Sequence, residues 1–192
     1  MHKLPKELPK IEILDDQDPK ANKKLHSKSV DVTFPLDAET KKLIKDSMDY
    51  LEMSQIDEIN QKYNLRAGMG LSFIQLGIPK RIFVIVYEVE EGKFDRYIVI
   101  NPKIKSTSEE MVYIEEGEGC LSINRPTCGI VPRHARMRLT AYNEEGEQYE
   151  LRVREELSVC FQHELDHLDG ILFTDKIDPK NPNKGKDIYR AI

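Results

Sequence analysis

The residues best equipped for chemistry stand near the end of the chain, in His163-Glu164-Leu165-Asp166-His167. Two histidines four positions apart share one helix face, with Cβ atoms about 5–6 Å apart. Both imidazoles can therefore reach one metal ion. Glu164, one step on from the first ligand, is placed to take a proton from a water on that ion. A catalytic centre needs a third protein ligand and one open position. No histidine follows His167, and Asp169, Asp175, Asp178 and Asp187 form no ligand motif. Upstream stands Glu118-Gly119-Cys120-Leu121-Ser122, where a cysteine among small, turn-forming residues can face a neighbouring helix. Read alone, Cys120 is equally a small buried hydrophobe. Cys160 lies three residues before His163, but Val159 and Phe161 beside it favour packing.

A third segment, Gly68-Met69-Gly70-Leu71-Ser72-Phe73-Ile74-Gln75, combines two close glycines with one amide. Glycines here allow a backbone to approach a ligand. As a nucleotide fingerprint the segment is poor, because the third glycine of G-x-G-x-x-G is missing. As a loop delivering Gln75 it stands beside the plainer reading of an ordinary turn.

Composition bounds the rest. The chain has 192 residues, 29 Lys+Arg against 34 Asp+Glu, and a net charge of -5. One domain over 1–192 is expected from that length. The acidic balance argues against a dedicated nucleic-acid binder, so no specific DNA partner is expected. The longest apolar run, Ile82–Tyr87, is strand-sized, far below the roughly 20 residues that span a bilayer. The start of the chain shows no apolar secretory signal, so a reducing cytoplasm is expected, where Cys120, Cys128 and Cys160 stay unpaired.

The elements that must position these residues follow from periodicity. Residues 1–33, broken by Pro5, Pro9 and Pro19, read as an extended polar segment. Asp37 is a good N-cap for a helix over about 38–53, with helical character continuing to Tyr63. Arg81–Val89 and Arg96–Asn101 read as a hairpin about Gly92, and Lys103–Glu115 as a further strand or two. Met137, Leu139 and Ala141 alternate with polar residues, as do Tyr149, Leu151 and Val153, which predicts a second hairpin. Arg154–Asp169 has helical period, with Gly170 as its stop. The tail 178–192 is expected to be peripheral. This order predicts an α+β fold: antiparallel β-sheets packed around a C-terminal metal-binding helix, with an N-terminal helix.

Taken together and in order, G-x-G-x-x-x-x-Q, E-G-C-x-S and H-E-x-D-H resemble the peptide deformylase family. The resemblance covers roughly Arg66 to Asp178 and includes Val131-Pro132-Arg133. The charged stretch Glu52–Tyr63 is similar to the longer subgroup, with its insertion before the first motif. There are departures. Ser72-Phe73-Ile74 stands where the family usually has small residues, which puts pocket shape in question, and Arg125-Pro126-Thr127-Cys128 is a second variable patch at the expected rim.

The resemblance implies that Cys120, His163 and His167 bind one divalent ion. Fe(II) is implied natively, with zinc, nickel or cobalt able to replace it, whereas ligand softness alone would favour zinc. It implies hydrolysis of the formyl group on the N-terminal formyl-methionine of nascent peptides, with Glu164 as base and then acid. Gln75 and the Leu121 backbone N–H would stabilise the oxyanion. Gly70 and Gly119 would face the substrate, which would pair like an added strand. Asp166 and Arg133 are expected to pair behind the helix. A monomer is expected. The lysine-containing tail 176–190 reads as solvated, with ribosome contact as its alternative. Two other readings use the same helix: a metallopeptidase with another third ligand, and a non-catalytic metal-stabilised module, which retention of the base Glu164 disfavours.

Overall fold

The structure is a computed structural model and describes residues 3–192. Its main body is a five-stranded antiparallel sheet in the order β1 (Gly70–Ser72), β2 (Ile82–Glu90), β3 (Lys93–Thr107), β6 (Arg136–Tyr142), β7 (Gln148–Arg154). β2 and β3 form the expected hairpin, with Glu90 opposite Lys93 and Gly92 at φ +71°. β6 and β7 form the second, in unbroken register from Arg136↔Arg154 to Tyr142↔Gln148. A small sheet joins β4 (Met111–Tyr113) to β5 (Arg133–His134) and to β8 (Arg190–Ala191).

Two helices cover this sheet from opposite sides. α2 (Ala38–Gln55) begins where Asp37 accepts the Thr40 N–H at 2.6 Å. It lays Ile44, Met48 and Leu51 on Leu71, Ile82, Val84, Val86 and Ile100. α4 (Glu155–Leu168) packs Phe161, Leu165 and Leu168 on Phe83, Ile85, Val99, Met137, Leu139 and Val153. The alternating apolar residues of β2 thus feed both layers. Each buried Leu, Ile or Phe stabilises by about 1.5–3 kcal/mol. Truncating Phe161, whose ring meets Phe83 and Tyr97 edge-on at 5.6 Å, would cost about 3–5 kcal/mol. α2 covers β1–β3 on its side and Phe34 covers Tyr142, which leaves the outer face of the rest of β6 and of β7 largely to solvent.

Two expectations, on the segment 1–33 and on the tail, are corrected in detail. The segment 1–33 is not extended throughout: Pro19–Leu25 forms helix α1, because Asp18 caps it through the Lys20 and Ala21 N–H groups and Pro19 occupies the first turn. A proline read as an interrupter is there a helix starter. The helix expected over about 38–53 is α2, and the helical character expected to Tyr63 is α3 (Asp57–Tyr63), set off from α2 by the extended Ile56. The tail 178–192 is peripheral only in part, since β8 pairs parallel with β4, Val112 opposite Arg190. None of the described helices is long and apolar enough to cross a membrane.

Candidate metal centre

Three chain segments converge where β1 meets α4. The helical period puts His163, Glu164 and His167 on the inner face of α4, all buried. Cys120 arrives from the loop after β4, also buried, in a cluster with Leu25, Ile123, Val131, Leu172 and Phe173. Cys120, His163 and His167 offer donor atoms within 4.8 Å of one another. Cys120 Sγ lies 3.3 Å from His167 Nε2, and the two imidazoles meet edge-on at 4.9 Å. A single ion with bonds of about 2.0–2.3 Å can bridge such separations.

The charge around these atoms also suits a cation. Burial alone would lower the His163 pKa, but Cys120 and Glu118 beside the ring raise it well above the ordinary histidine range. Positive charge is therefore favoured at that point. Burial, followed by the charge of His163, holds His167 well below its ordinary range, as a neutral ligand requires. Glu118 accepts from His163 Nδ1 at 2.8 Å, which leaves Nε2 for a metal. Ligating histidines characteristically use their outer nitrogen in this way. His167 Nδ1 is buried without a protein partner among the described residues. The donor set thus fits one resident metal ion.

Glu118 is the residue that motif reading passed over. Its carboxylate also receives Arg133 from β5, Nε at 2.7 Å and Nη2 at 2.9 Å. Burial would raise the Glu118 pKa. The hydrogen bonds from His163 and Arg133, with the Arg133 charge, outweigh burial and hold it at about 2. The expected pair of Arg133 with Asp166 is present, and Lys176 joins Asp166 at 2.7 Å. Arg133 thus ties α4, through Asp166, to the Cys120 loop, through Glu118. A carboxylate two residues from a cysteine ligand was visible in the motif. The rule that ligating histidines donate outward to carboxylates could have assigned its role.

Glu164 is held by Ser72, whose hydroxyl donates to Oε2 at 2.7 Å. Burial raises the Glu164 pKa, opposed by the His163 charge and the Ser72 bond. Gln75 bridges the segments: Oε1 accepts the Ser72 N–H at 2.8 Å, and Nε2 reaches Ser122 Oγ at 3.2 Å and Cys120 Sγ at 3.6 Å. A cleft of about 240 Å³ opens over this cluster, with Gly70, Gln75, Gly119, Cys120, Leu121, His163 and Glu164 in its wall.

The two departures from the family pattern stay out of the cleft wall, and only Ser72 of them touches the centre. Phe73 is buried in the layer beneath α2 and does not line the cleft. Arg125 ion-pairs with Asp16 at 2.8 Å, and neither it nor Cys128 lines the cleft. Cys128 is exposed, whereas Cys160 lines the cleft and burial pushes its thiol up.

A β-sheet fold that presents an HExxH helix and a cysteine to one ion, with a buried carboxylate beside them, defines a metal-dependent hydrolase. Comparison with known proteins narrows the class. Residues 11–183 match the polypeptide deformylase family. The chain is 44% identical over 151 residues to a peptide deformylase of Oceanobacillus iheyensis, covering 79% of this chain and 82% of that one. It is 43% identical over 158 residues to peptide deformylase 2 of Bacillus subtilis, covering 82% and 85%. The solved peptide deformylase of Thermotoga maritima superposes with a TM-score of 0.65 at 29% identity, covering 93% of this chain and 100% of that one. That of Legionella pneumophila gives 0.70 at 26%, covering 90% and 88%. The chain belongs to the polypeptide deformylase family, hydrolases that remove the formyl group from the N-terminus of nascent polypeptides.

Proposed function

We propose that this chain is a single catalytic domain over 1–192, acting as a cytoplasmic monomer on N-formylmethionyl nascent peptides. The supporting observation is a buried carboxylate, Glu164, fixed by Ser72 in the same cleft wall as Cys120 and His163, with His167 completing the donor cluster behind them. An ion held by those three residues would supply a Lewis acid that polarises the formyl carbonyl and makes water acidic near neutral pH. Fe(II) is the ion proposed, with zinc, nickel or cobalt able to substitute.

The chain's own groups then divide the work. Ser72 occupies Glu164 Oε2, so Oε1 takes the proton of the attacking water and returns it to the leaving amine. A carboxylate whose pKa is raised by burial is suited to both halves of that transfer. The Gln75 amide and the Leu121 N–H stabilise the oxyanion; one such donor is worth about 3–4 kcal/mol in the transition state. β1 is the edge strand of the sheet, so the substrate backbone can add beside Gly70 and pass Gly119. Ile114, Val159 and Cys160 give the cleft an apolar side for the methionine thioether. Ribosome contact remains part of the proposal.

Anaerobically purified, iron-loaded protein should release formate from formyl-Met-Ala-Ser. Glu164→Ala should abolish release while retaining the metal. Full activity in that variant, or none in the parent, would overturn the reading.

A further inference from the structure

On the outer face of the β6–β7 hairpin, arginine stands directly opposite arginine twice. The register pairs Arg136 with Arg154 and Arg138 with Arg152. Met137, Leu139 and Val153 alternate with them and are buried under α4, so all four guanidinium groups emerge on the uncovered side. Like charges directly opposite one another destabilise an antiparallel pair, and here two such pairs follow in succession, about 6.8 Å apart along the strand.

The fold neutralises them incompletely. Glu150 is the one acid in the sequence of these two strands, and it serves both Arg138 at 2.8 Å and Arg152 at 3.8 Å. Arg136 reaches Glu110 at 2.6 Å, but Glu110 is shared with Arg190 at 3.0 Å. Arg154 has no carboxylate within 4.0 Å among the described residues. On β3, Lys103 opposite Thr140 extends the same face, and the Lys105 charge acts on the same Glu150. Four arginines and two lysines thus share this face with Glu150, while Glu110 at its margin serves Arg136, in a chain whose net charge is -5. A groove of about 700 Å³ runs beside them, lined by the four arginines and Ser106, Thr107 and Ser108, with Glu109 and Glu110 at one side.

Guanidinium forks beside hydroxyls are phosphate-recognition chemistry. The one aromatic on this face, Tyr142, is half-buried against Phe34, and no leucine stands among the arginines, so the face lacks the free apolar side chains that an interfacial membrane anchor would need. A nascent chain emerges beside RNA, so the choice of polymer, though not the basic face itself, rests on the function proposed above. We propose that the β6–β7 arginine face docks the phosphate backbone of RNA. The face lies across the sheet from α4, so docking leaves the catalytic cleft open.

The test is fluorescence anisotropy of a labelled RNA hairpin with the metal-loaded full chain at about 50–200 mM salt. Binding should weaken steeply with salt. Arg138→Gln/Arg152→Gln should weaken it at least tenfold and flatten the log–log salt slope by about 1.5–2. Arg154→Glu, which breaks no ion pair, should do the same in smaller measure. Both variants should deformylate free formyl-Met-Ala-Ser like the parent, which separates this inference from the enzymatic reading. No binding at the lowest salt, or equal affinity in both variants, would refute RNA docking. Equal or tighter binding to phosphatidylglycerol vesicles, or to a DNA duplex of the same length, would refute it as well.

Discussion

A methyl group built on Gly70 would stand 2.3 Å from Oε1 of Glu164. The glycine is therefore required by space and not by backbone conformation. The space left by its missing side chain seats the Glu164 carboxylate. Gly68 plays the same part for Leu121, whose side chain would lie 2.8 Å from an added Cβ. The two glycines of the first motif each make room for one residue of the other two motifs.

Gly70→Ala should accordingly act on catalysis through Glu164. The carboxylate must swing away from β1 or the strand must retreat, and a displacement near 1 Å can cost about 10² in rate. We expect kcat/KM to fall by about that factor with metal content unchanged. Gly119 is the control, because an added Cβ there meets nothing within 4 Å. Gly119→Ala should fold and bind metal normally, and any loss should appear in KM, where a substrate contact would register. Steady-state kinetics with metal analysis on both variants decides it.

Glu118→Gln tests the buried link between Arg133 and His163. Removing one charge of a buried pair typically costs about 3–5 kcal/mol, because the other is stranded. Outer hydrogen bonds to ligating histidines are worth about 10–100-fold in metal affinity. Both losses should appear together, in urea denaturation and in metal competition. The difference should also depend on pH. With a folded pKa of about 2 against 4.5 for a free glutamate, the Glu118 contribution is present above pH 4.5 and disappears as pH falls through about 2. The stability gap between metal-free parent and variant should therefore close across that window. A gap that stays constant would show that the carboxylate charge is not what stabilises.

Much of this centre was legible because its chemistry is local. Spacing four on a helix places His163 and His167 without knowledge of the fold. The strand pairs were legible because apolar alternation and the Gly92 and Gly146 turns are written into contiguous sequence. What escaped depends on contacts distant in sequence. Ser72, 92 positions from Glu164, looked like a departure at a pocket wall. Phe73 put pocket shape in question, but the short helical turn Phe73–Leu76 carries it into the layer beneath α2. Glu118 looked like part of a turn. Pro19 misled because a proline stops one helix and starts another, and only the Asp18 cap beside it tells which.

Tyr149 carries a stability prediction at the other end of the pH scale. Its hydroxyl donates to the Ile98 carbonyl from β7, across the sheet. Burial pushes its pKa up to about 12. The contribution of the protonated phenol is fully present below pH 10 and is lost as pH rises through about 12. Tyr149→Phe should be about 1 kcal/mol less stable than the parent at neutral pH. Above pH 10 the parent should lose stability faster than the variant, and the two curves should meet or cross. Parallel curves in guanidinium titrations would mean that Tyr149 does not report on this bond.

Gln75→Met separates the structural and catalytic duties of one amide. Methionine keeps the volume but strands the buried Ser72 N–H and leaves Ser122 Oγ without its donor, at a cost of about 1–3 kcal/mol in stability. The larger effect should be kinetic. The Gln75 amide is assigned to the oxyanion, a charge that exists only during reaction. Its removal should lower kcat by about 10²–10³ and leave KM nearly unchanged. A variant with normal kcat and raised KM would place Gln75 in substrate binding instead. Retention of both constants would reduce it to a cap on the turn that carries Phe73.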